Sequence, residues 1–257
     1  MRSSLFVTPA LASILGAIGA SCRAPAAEQR PAEQQRSAEQ QRPIAVTNGG
    51  DVAAAVAVAP ANAGADASAG PRPGADSSAL RAAADSGRIQ GAPGARVWLI
   101  MVSDFQCPYC KQWHDESYAA LAREYVAAGK VRAAYLNFPL DQHPQALPAA
   151  EAAMCASAQG KFWPYQTALF QSQQRWGSMG DATPVYDSLA TAVGADLTRF
   201  RGCTASHVMR PVVEADRDRM ERAGVRSTPS FFVGDRQIAG AQPTAAFRQA
   251  LDAALAK

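Results

Sequence analysis

The sequence predicts an α/β fold in which two sheet-forming halves are separated by a block of helices. A strand pattern at residues 97–102 is followed by a helical pattern and by a second strand at residues 131–138, a strand–helix–strand unit with a parallel pair. Residues 144 to about 223 are mostly helical in pattern. Strand character returns at residues 230–239 as a hairpin, and an amphipathic helix follows from Thr244.

A Cys-x-x-Cys motif stands where the first strand meets the first helix. The strand consists of six apolar residues, rich in β-branched and aromatic types, which suits a strand covered on both faces. Pro108 has a fixed φ and no N–H, and both properties suit the first turn of a helix. Apolar residues then recur at helical spacing as far as Gly129, where we expect the helix to end. They are Trp113, Tyr118, Leu121, Tyr125 and Val126.

This position gives the two cysteines unequal roles. A thiol reacts as its thiolate, and an ordinary cysteine pKa of about 8.5 leaves only a few per cent ionised at neutral pH. The unpaired N–H groups and the dipole of a helix's first turn stabilise an anion, so we predict that Cys107 is the nucleophile. Cys110 lies one turn further along the same side and is predicted to resolve a mixed disulfide. Half a zinc site is the alternative, but no second close cysteine pair supplies the remaining ligands.

The other elements follow in order along the chain. The second strand ends at Pro139, and the helical block is predicted as helices at residues 146–158, 162–174, 184–193, 196–204 and 207–223. Gly234-Asp235 makes the turn of the later hairpin. Thr244 is expected to cap the last helix, whose apolar face carries Phe247, Leu251 and Leu255.

The first 21 residues have the pattern of a secretory signal peptide. Arg2 supplies a positive charge, and the apolar run from Leu5 to Ala20 is too short and interrupted for a typical membrane span. Cys22 follows Gly19-Ala20-Ser21, which resembles the lipobox of bacterial lipoproteins, so Cys22 is a candidate for lipid attachment. Lipid on Cys22 would leave four cysteines, enough for two pairs. Ordinary cleavage after Ala20 or Ala24 and an uncleaved anchor are the alternatives.

Residues 22–86 form a low-complexity segment that we expect to be a disordered linker. Near-repeats of Glu-Gln-Arg give way to Ala, Gly, Pro and Asp, and aromatic residues are absent from this stretch. Such a segment cannot bury enough apolar surface to offset the cost of ordering its backbone. A folded domain is predicted over residues 87–257, with its helical insertion at about residues 144–204. The net charge of +3 does not favour nucleic acid or an anionic membrane surface as a partner.

Four segments of the predicted domain carry a family resemblance. They are Ser103-Asp104-Phe105-Gln106-Cys107-Pro108-Tyr109-Cys110, Phe138-Pro139-Leu140-Asp141-Gln142-His143-Pro144, Gln159-Gly160-Lys161-Phe162-Trp163, and Gly224-Val225-Arg226-Ser227-Thr228-Pro229-Ser230-Phe231-Phe232-Val233-Gly234. Together they resemble the DsbA family of exported thioredoxin-fold disulfide oxidoreductases, particularly its DsbG-like and four-cysteine branches, over roughly residues 88–256. The first and last segments are the specific ones. The predicted element order is likewise that of the thioredoxin fold with a helical insertion.

The resemblance implies an enzyme of thiol–disulfide exchange that needs no cofactor and no metal. Its catalytic residues would be Cys107 and Cys110, and its active-site wall, where substrate binds, would be Pro108, Tyr109, Thr228 and Pro229. The peptide bond before Pro229 would be cis, and Thr228 would offer its backbone to an extended substrate. The implied partners are exported proteins that contain cysteine and a membrane redox partner that recycles the active site. The implied location is the periplasm or the outer face of a bacterial membrane.

Further residues of this region have several interpretations. Cys155 and Cys203 would form a structural disulfide in an oxidising compartment, as in some family members, while two buried thiols or a second redox centre stay open. Asp104 is a candidate for a hydrogen bond to a backbone N–H or for proton transfer. His143 is interpreted as a structural residue.

The preferred interpretation of function is disulfide formation in exported proteins. Oxidation is favoured because the helical insertion is present and a dimerisation domain is not visible in the sequence. A DsbG-like isomerase or reductase is the alternative within the same class. A redox-inert chaperone or a metal-binding protein on a thioredoxin scaffold is the alternative from another class.

Overall fold

A five-stranded mixed sheet lies at the centre of the molecule. The structure is a computed structural model that describes residues 73–257. Its strands are β1 (Ile89–Gln90), β2 (Val97–Ser103), β3 (Val131–Asn137), β4 (Ser230–Val233) and β5 (Arg236–Ala239). They lie side by side in the order β1–β3–β2–β4–β5. The β2–β3 pair is parallel, while the β1–β3, β2–β4 and β4–β5 pairs are antiparallel, as the predicted strand–helix–strand unit and hairpin require.

Helices pack on both faces of this sheet. Helix α2 lies between β2 and β3. The other helices are α1 (Pro73–Gly87), α3 (Ala146–Ser157), α4 (Phe162–Gln171), α5 (Gln173–Trp176), α6 (Thr183–Ala192), α7 (Leu197–Ala205), α8 (Arg210–Arg222) and α9 (Thr244–Leu255). Helix α2 comprises the consecutive segments Pro108–Trp113, His114–Tyr118, Ala119–Leu121 and Ala122–Val126, of which the second and fourth have wider π-helical turns. Gly129 follows with φ of 71°, a conformation that glycine adopts readily, and the helix ends before it as predicted.

The two faces of β2 explain its uninterrupted apolar sequence. Leu99 and Met101 point into the larger hydrophobic core, which also contains α2, α9 and most of the helical block. Ile100 and Val102 point into a smaller core on the other face, where Met220 of α8 is fully buried. Because neither face of the strand meets solvent, the alternation of polar and apolar residues seen in half-exposed strands does not develop.

The carboxyl ends of β2 and β3 lie together and position the chain segments that follow them. Ser103 is in register with Asn137 at the ends of the parallel pair. The Phe138 N–H donates to the Ser103 carbonyl at 2.9 Å, which continues the pairing by one step. The turn that leads into α2 and the loop over residues 139–145 therefore start from the same edge of the sheet.

A disulfide joins two helices of the inserted block. Cys155 of α3 and Cys203 of α7 have sulfur atoms 2.01 Å apart and Cα atoms 5.8 Å apart. The bond closes a loop of 48 residues along the chain, and both half-cystines are buried. Helix α3 lies at the centre of this block, since it contacts α1, α4, α7 and α8.

A buried ion pair ties the start of the domain to the sheet and to α8. The guanidinium of Arg88 donates to both carboxylate oxygens of Asp216, and Asp216 is only 1% exposed. Asn137 adds two further donors to Asp216, its backbone N–H at 3.1 Å and its side-chain amide at 3.0 Å. Four donors to one carboxylate provide the compensation that a buried charge requires.

Apart from the short edge strand β1, which the sequence did not predict, the structure differs from the prediction in three places. Helix α1 occupies part of the predicted linker, so the folded region begins at Pro73 instead of residue 87; Ala84 of α1 is fully buried, and Ser157 donates to its carbonyl at 2.6 Å. The predicted helix at 162–174 is divided at Ser172, whose hydroxyl bonds back to the Ala168 carbonyl. Thr244 does not cap α9; its hydroxyl contacts Ser117 of α2 instead, at 2.8 Å.

Several predictions concern residues outside the described range. The signal peptide at residues 1–21, the lipid site at Cys22 and the linker up to residue 72 all lie outside the described residues. Within residues 73–257, no helix has both the length and the apolar character needed to cross a membrane.

Candidate active site

The Cys-x-x-Cys pair lies at the start of α2, where the strand-to-helix junction was predicted. Cys107 is the residue before the first helical position and has an extended backbone, with φ of −69° and ψ of 124°. Pro108 opens the helix, and the Lys111 N–H donates to the Cys107 carbonyl at 3.2 Å. Both cysteines are unpaired and buried, whereas Tyr109 between them is 42% exposed. The motif therefore presents Tyr109 to solvent and keeps its sulfur atoms in a restricted environment.

The segment around Thr228 and Pro229 forms the facing wall. The Thr228–Pro229 peptide bond is cis. The Thr228 carbonyl accepts a hydrogen bond from the Cys107 thiol at a distance of 3.6 Å. On the other side, the Gly240 N–H donates to the Pro229 carbonyl at 2.8 Å and holds this turn against β5. The structure thus brings together residues that are 121 positions apart in the sequence.

The surroundings of Cys107 favour its thiolate. The pKa of Cys107 is lowered to about 6, first because the Cys110 side chain donates a hydrogen bond to its sulfur. The Thr228 hydroxyl and the Cys110 backbone N–H act in the same direction, while burial and the charge of Asp104 oppose them. The Thr228 hydroxyl is buried and has no other hydrogen-bond partner among the described residues, so it can donate to the Cys107 thiolate. A pKa of about 6 makes Cys107 mostly ionised at neutral pH.

The surroundings of Cys110 favour its protonated form. Burial raises the pKa of Cys110 well above the ordinary value, and the neighbouring Cys107 and the charge of Asp104 raise it further. The Asp104 N–H donates to the Cys110 sulfur at 3.5 Å, a smaller effect in the opposite direction. One thiol is thus prepared to attack and the other to hold a proton, the division of roles that a nucleophile and a resolving cysteine need.

Gln173 holds the active-site turn from the side of the inserted helices. Its side-chain amide donates to the Phe105 carbonyl at 2.7 Å and to the Cys107 carbonyl at 3.0 Å. The Gln173 side chain is buried, so these two bonds are shielded from competition with water. The backbone of the nucleophile is therefore fixed by a residue of α5.

Two further glutamines connect the same turn to the loop between α5 and α6. The Gln106 amide donates to the Gly177 carbonyl at 2.7 Å, and its oxygen accepts from the Gln145 N–H at 2.6 Å. The Gln145 amide in turn donates to the Met179 and Gly180 carbonyls at 2.9 and 3.1 Å. The inserted block and the active-site turn are consequently joined by a continuous set of amide hydrogen bonds.

Sequence reasoning missed the glutamines and one tyrosine. Gln145 and Gln173 are polar residues within helical patterns, and nothing in the sequence marks them as partners of the Cys-x-x-Cys turn. Tyr135 of β3 is fully buried, and its hydroxyl has no partner among the described residues. Its pKa is raised, first by burial and then by the charge of Cys110. The sequence placed Tyr135 in the second predicted strand, which pairs with the strand that leads to Cys107, and this placement was the only signal available for it.

Two further histidines are hydrogen-bonded to residues other than the cysteine pair. The ring of His114 is buried, stacks on Tyr118 at a centroid distance of 5.1 Å and contacts the tilted ring of Phe170 at 4.9 Å. Burial lowers the pKa of His114, whose ring packs among aromatic side chains of the core. His207 lies in the turn between α7 and α8 with φ of 51°, and its Nδ1 is 2.6 Å from a carboxylate oxygen of the buried Glu151.

Comparison with known proteins finds a family match and two kinds of curated relative. A family model described as Thioredoxin matches residues 83–253. A probable disulfide bond formation protein D of Bacillus anthracis is 27% identical over 148 residues, which cover 56% of this chain and 67% of that protein. The Na(+)/H(+) antiporter NhaA 3 of Salinispora tropica is 33% identical over 159 residues, which cover 61% of this chain and 23% of the antiporter. The matched region thus spans about a quarter of the length of this curated relative.

Solved structures share the fold at low sequence identity. BdbD from Bacillus subtilis, in its oxidised form, has a TM-score of 0.61 at 18% identity, with 67% of this chain and 95% of that chain covered. The α-DsbA1 protein from Wolbachia pipientis has a TM-score of 0.58 at 21% identity, with 66% and 90% covered. These neighbours confirm the predicted thioredoxin fold with its helical insertion.

Proposed function

The chain belongs to the thioredoxin family, with the DsbA-type fold, and on that premise we propose that it is a thiol–disulfide oxidoreductase that forms disulfides in exported proteins. The observation that carries the proposal is the asymmetry of the pair. Cys107 has a pKa of about 6 and faces Thr228 at the wall, whereas the pKa of Cys110 is raised by burial.

The reaction starts from the disulfide between Cys107 and Cys110. A substrate thiolate attacks the Cys107 sulfur, a new sulfur–sulfur bond forms, and Cys110 leaves with the electron pair and takes up a proton. A second substrate thiolate then attacks the substrate sulfur of this mixed disulfide, and Cys107 leaves as a thiolate. The substrate has lost two electrons and gained a disulfide, and the pair has become the dithiol. A membrane redox partner that accepts two electrons would restore the disulfide.

Thiolate stabilisation supports the oxidising direction. A lowered pKa at Cys107 stabilises the reduced form of the pair relative to its disulfide, and this raises the reduction potential. The corresponding pKa is about 7 in thioredoxin, a reductant, and about 3.5 in DsbA, a strong oxidant. With a pKa of about 6 at Cys107, we expect a potential between the values of those two proteins, about −270 and −120 mV.

Equilibration of the purified protein with glutathione buffers tests this direction. The fractions of dithiol and disulfide at Cys107 and Cys110 would be read by alkylation and mass spectrometry. A potential above about −200 mV supports disulfide formation, because such a centre accepts electrons from most substrate thiols. A potential near about −270 mV would contradict it and favour a thioredoxin-like reductase.

Metal analysis tests the alternative from the other class. A redox-inert chaperone or metal-binding protein would leave the pair silent toward glutathione or would hold a metal. Stoichiometric zinc or copper that protects Cys107 and Cys110 from alkylation would overturn the oxidoreductase proposal. We expect instead that both thiols of the reduced protein react fully once the protein is unfolded.

The same geometry supports a proposal for substrate binding at the cysteine pair. We propose that Pro108, Tyr109, Thr228 and Pro229 receive an extended, cysteine-containing segment of an exported protein. Support comes from the exposed ring of Tyr109 and from the Thr228 carbonyl, which lies 3.6 Å from the Cys107 sulfur. A peptide whose one cysteine is first converted to a mixed disulfide with glutathione should react with the Cys107 thiolate of a Cys110→Ser variant, which displaces glutathione as the leaving thiolate and leaves a stable peptide–Cys107 disulfide. The adduct would be mapped by mass spectrometry.

Export and lipid attachment remain part of the proposal. The disulfide between Cys155 and Cys203 supports an oxidising compartment, since such bonds are rare in the cytosol of mesophiles. We propose that residues 1–21 direct export to the periplasm or the outer face of a bacterial membrane and that Cys22 carries lipid. The mass of the mature N-terminal peptide tests both points: an unmodified peptide that starts after Ala20 or Ala24 would exclude the lipid, and an intact Met1 would exclude cleavage.

A further inference from the structure

A buried carboxylate and a histidine lie beside the cysteine pair and take no part in the reaction described above. The Asp104 side chain is fully buried, while that of His143 is 18% exposed. The His143 Nδ1 donates to Asp104 Oδ2 at 2.7 Å. The backbone N–H groups of Gln106 and Leu140 donate to the same carboxylate at 2.7 and 3.0 Å. Three donors to one carboxyl group suit its ionised form.

The backbone of Asp104 is hydrogen-bonded to the sulfur of Cys110 and to the backbone of Cys107. Its N–H donates to the Cys110 sulfur at 3.5 Å, and its carbonyl accepts from the Cys107 N–H at 3.2 Å. Its charge raises the pKa of Cys110, after the larger effects of burial and of Cys107, and it also opposes ionisation of Cys107. An uncompensated Asp104 would therefore disfavour both thiolates.

His143 is placed to compensate that charge. It stands in the loop after β3, which the parallel pairing of β2 and β3 brings next to the active-site turn. The hydrogen bond that the imidazole donates to Asp104 raises the pKa of His143, and the charges of Asp104 and Cys107 add to this effect. These are the titratable groups that face the imidazole; Asp141 of the same loop pairs with Arg217 of α8. The partly exposed ring can exchange its proton with solvent.

We propose that His143 is a positioning residue for the exchange reaction, whose proton offsets the charge of Asp104 beside Cys107 and Cys110. The inference rests on the proposed function. When substrate attacks Cys107, the electron pair of the broken bond moves to the Cys110 sulfur, next to Asp104. With His143 protonated, the Asp104–His143 pair has no net charge, and this thiolate forms more readily. With His143 neutral, the pair is negative, and the dithiol form loses stability relative to the disulfide.

The test compares His143→Gln with the unmodified protein. Glutamine keeps a donor for Asp104 and carries no proton that titrates. At pH 6 we expect the equilibrium with glutathione to shift about fivefold toward the disulfide of the pair, the size expected for a unit charge in a partly solvated region. As the pH rises through the titration of His143, both proteins become alike in charge and the difference should vanish. Asp104→Asn should shift the equilibrium in the opposite direction, toward the dithiol.

A matched control separates this electrostatic role from a structural one. His207 also pairs with a buried carboxylate, Glu151, at 2.6 Å, but it belongs to the inserted block and contacts neither thiol. His207→Gln should leave the equilibrium unchanged at every pH. The proposal would be overturned if the shift in the glutathione equilibrium caused by His143→Gln were the same from pH 5 to pH 9, or were no larger than the shift caused by His207→Gln. Either result would mean that His143 has only a structural role.

A second measurement stays readable if the proposed function fails. Alkylation of Cys107 as a function of pH reports its ionisation and needs no turnover. We expect its midpoint to lie higher in His143→Gln than in the unmodified protein. Absence of exchange with glutathione in the unmodified protein would refute the proposed function alone, whereas identical alkylation midpoints in the two proteins would refute the role of His143 alone.

Discussion

The molecule contains two cysteine pairs in one hydrophobic core, and they differ in almost every physical respect. Cys107 and Cys110 are three residues apart at the start of a helix, are unpaired, and face a wall that lies 121 residues further on. Cys155 and Cys203 are 48 residues apart, are bonded, and are enclosed by helices. Burial is common to both pairs, so burial does not decide which one can react.

Polar groups around the sulfur atoms make the difference. Cys107 is surrounded by donors and a helix start that stabilise its thiolate, and the neighbouring Tyr109 is exposed. The half-cystines in the inserted block are buried among apolar side chains of the core. An exchange centre therefore requires a stabilised anion and an open side, whereas a disulfide that closes a long loop contributes mainly to the stability of the fold.

Substitution of the nucleophilic cysteine should have the largest effect. We expect Cys107→Ser to reduce oxidation of a dithiol peptide to the background rate, because the hydroxyl is not ionised at neutral pH and cannot form the mixed disulfide. Activity would be followed by the loss of free thiols in the peptide. Residual turnover through Cys110 alone would break the proposed division of roles.

Removal of the second pair should lower stability and spare activity. A Cys155→Ala/Cys203→Ala variant loses a loop closure of 48 residues, for which the chain-entropy model gives about 4 kcal/mol. Urea unfolding at pH 7 would measure this decrease in the free energy of unfolding. At temperatures where the variant stays folded, peptide oxidation should stay within about twofold of the unmodified rate. A large loss of activity there would mean that the two pairs are not independent.

The pH dependence should separate the two thiols of the reactive pair. Alkylation of Cys107 should be half-maximal at a pH of about 6, whereas Cys110, whose pKa is raised by burial, should not react up to pH 8. Peptide mass spectrometry after brief treatment with iodoacetamide distinguishes the two sites. Similar profiles for both residues would contradict the asymmetry.

The same lowered pKa makes the stability of the reduced protein depend on pH. Between about 6 and the ordinary value of about 8.5, the unfolded chain binds more protons at Cys107 than the folded chain, so stability increases with pH. This contribution is fully present above about 8.5 and is lost as the pH falls through about 6. The raised pKa of Cys110 has the opposite sign and acts only above its ordinary value. Urea unfolding across this pH range would measure the free energy of unfolding of the reduced and oxidised proteins. The increase with pH that is due to Cys107 should be present only in the reduced protein.

The smallest effect is expected from substitution of Thr228, in the wall that faces Cys107. Thr228→Val keeps the shape of the side chain and removes the hydroxyl that helps to lower the pKa of Cys107. We expect the alkylation rate of Cys107 at pH 6 to fall about twofold. Thr228→Ser is the matched control, because it keeps the hydroxyl and should keep the rate. An unchanged rate in Thr228→Val would remove this hydroxyl from the set of stabilising donors.

The parts of the fold that were predictable have local causes. The strand before Cys107 is apolar along its whole length, and Pro108 and Gly129 mark the ends of the helix that follows. Hairpin residues 230–239 likewise contain their own turn. Each of these patterns depends on interactions between near neighbours in the chain, which a single sequence displays directly.

The parts that were not predictable depend on contacts between distant residues. The hydrogen bonds from Gln173 to the active-site turn cross 66 and 68 positions, and the Asp104–His143 bond crosses 39. A single sequence contains no signal that links such residues, although the Asp104 and His143 motifs were visible separately. Helix α1 was missed because its alanine-rich composition resembles that of the linker, and its stability comes from packing on α3.

The buried pair of Arg88 and Asp216 also determines how the domain would respond to mechanical load. A pull on the chain before residue 73 acts first on α1, whose contact with α3 includes the bond from Ser157 to the Ala84 carbonyl. Beyond α1, the load meets Arg88, which is bonded to Asp216 of α8, while Asp216 is bonded to Asn137 of β3. Extraction of Arg88 would leave a charge buried without its main partner, a change that typically costs about 3–5 kcal/mol. A force along the N-terminal segment would therefore be resisted at Arg88 before it reached the cysteine pair.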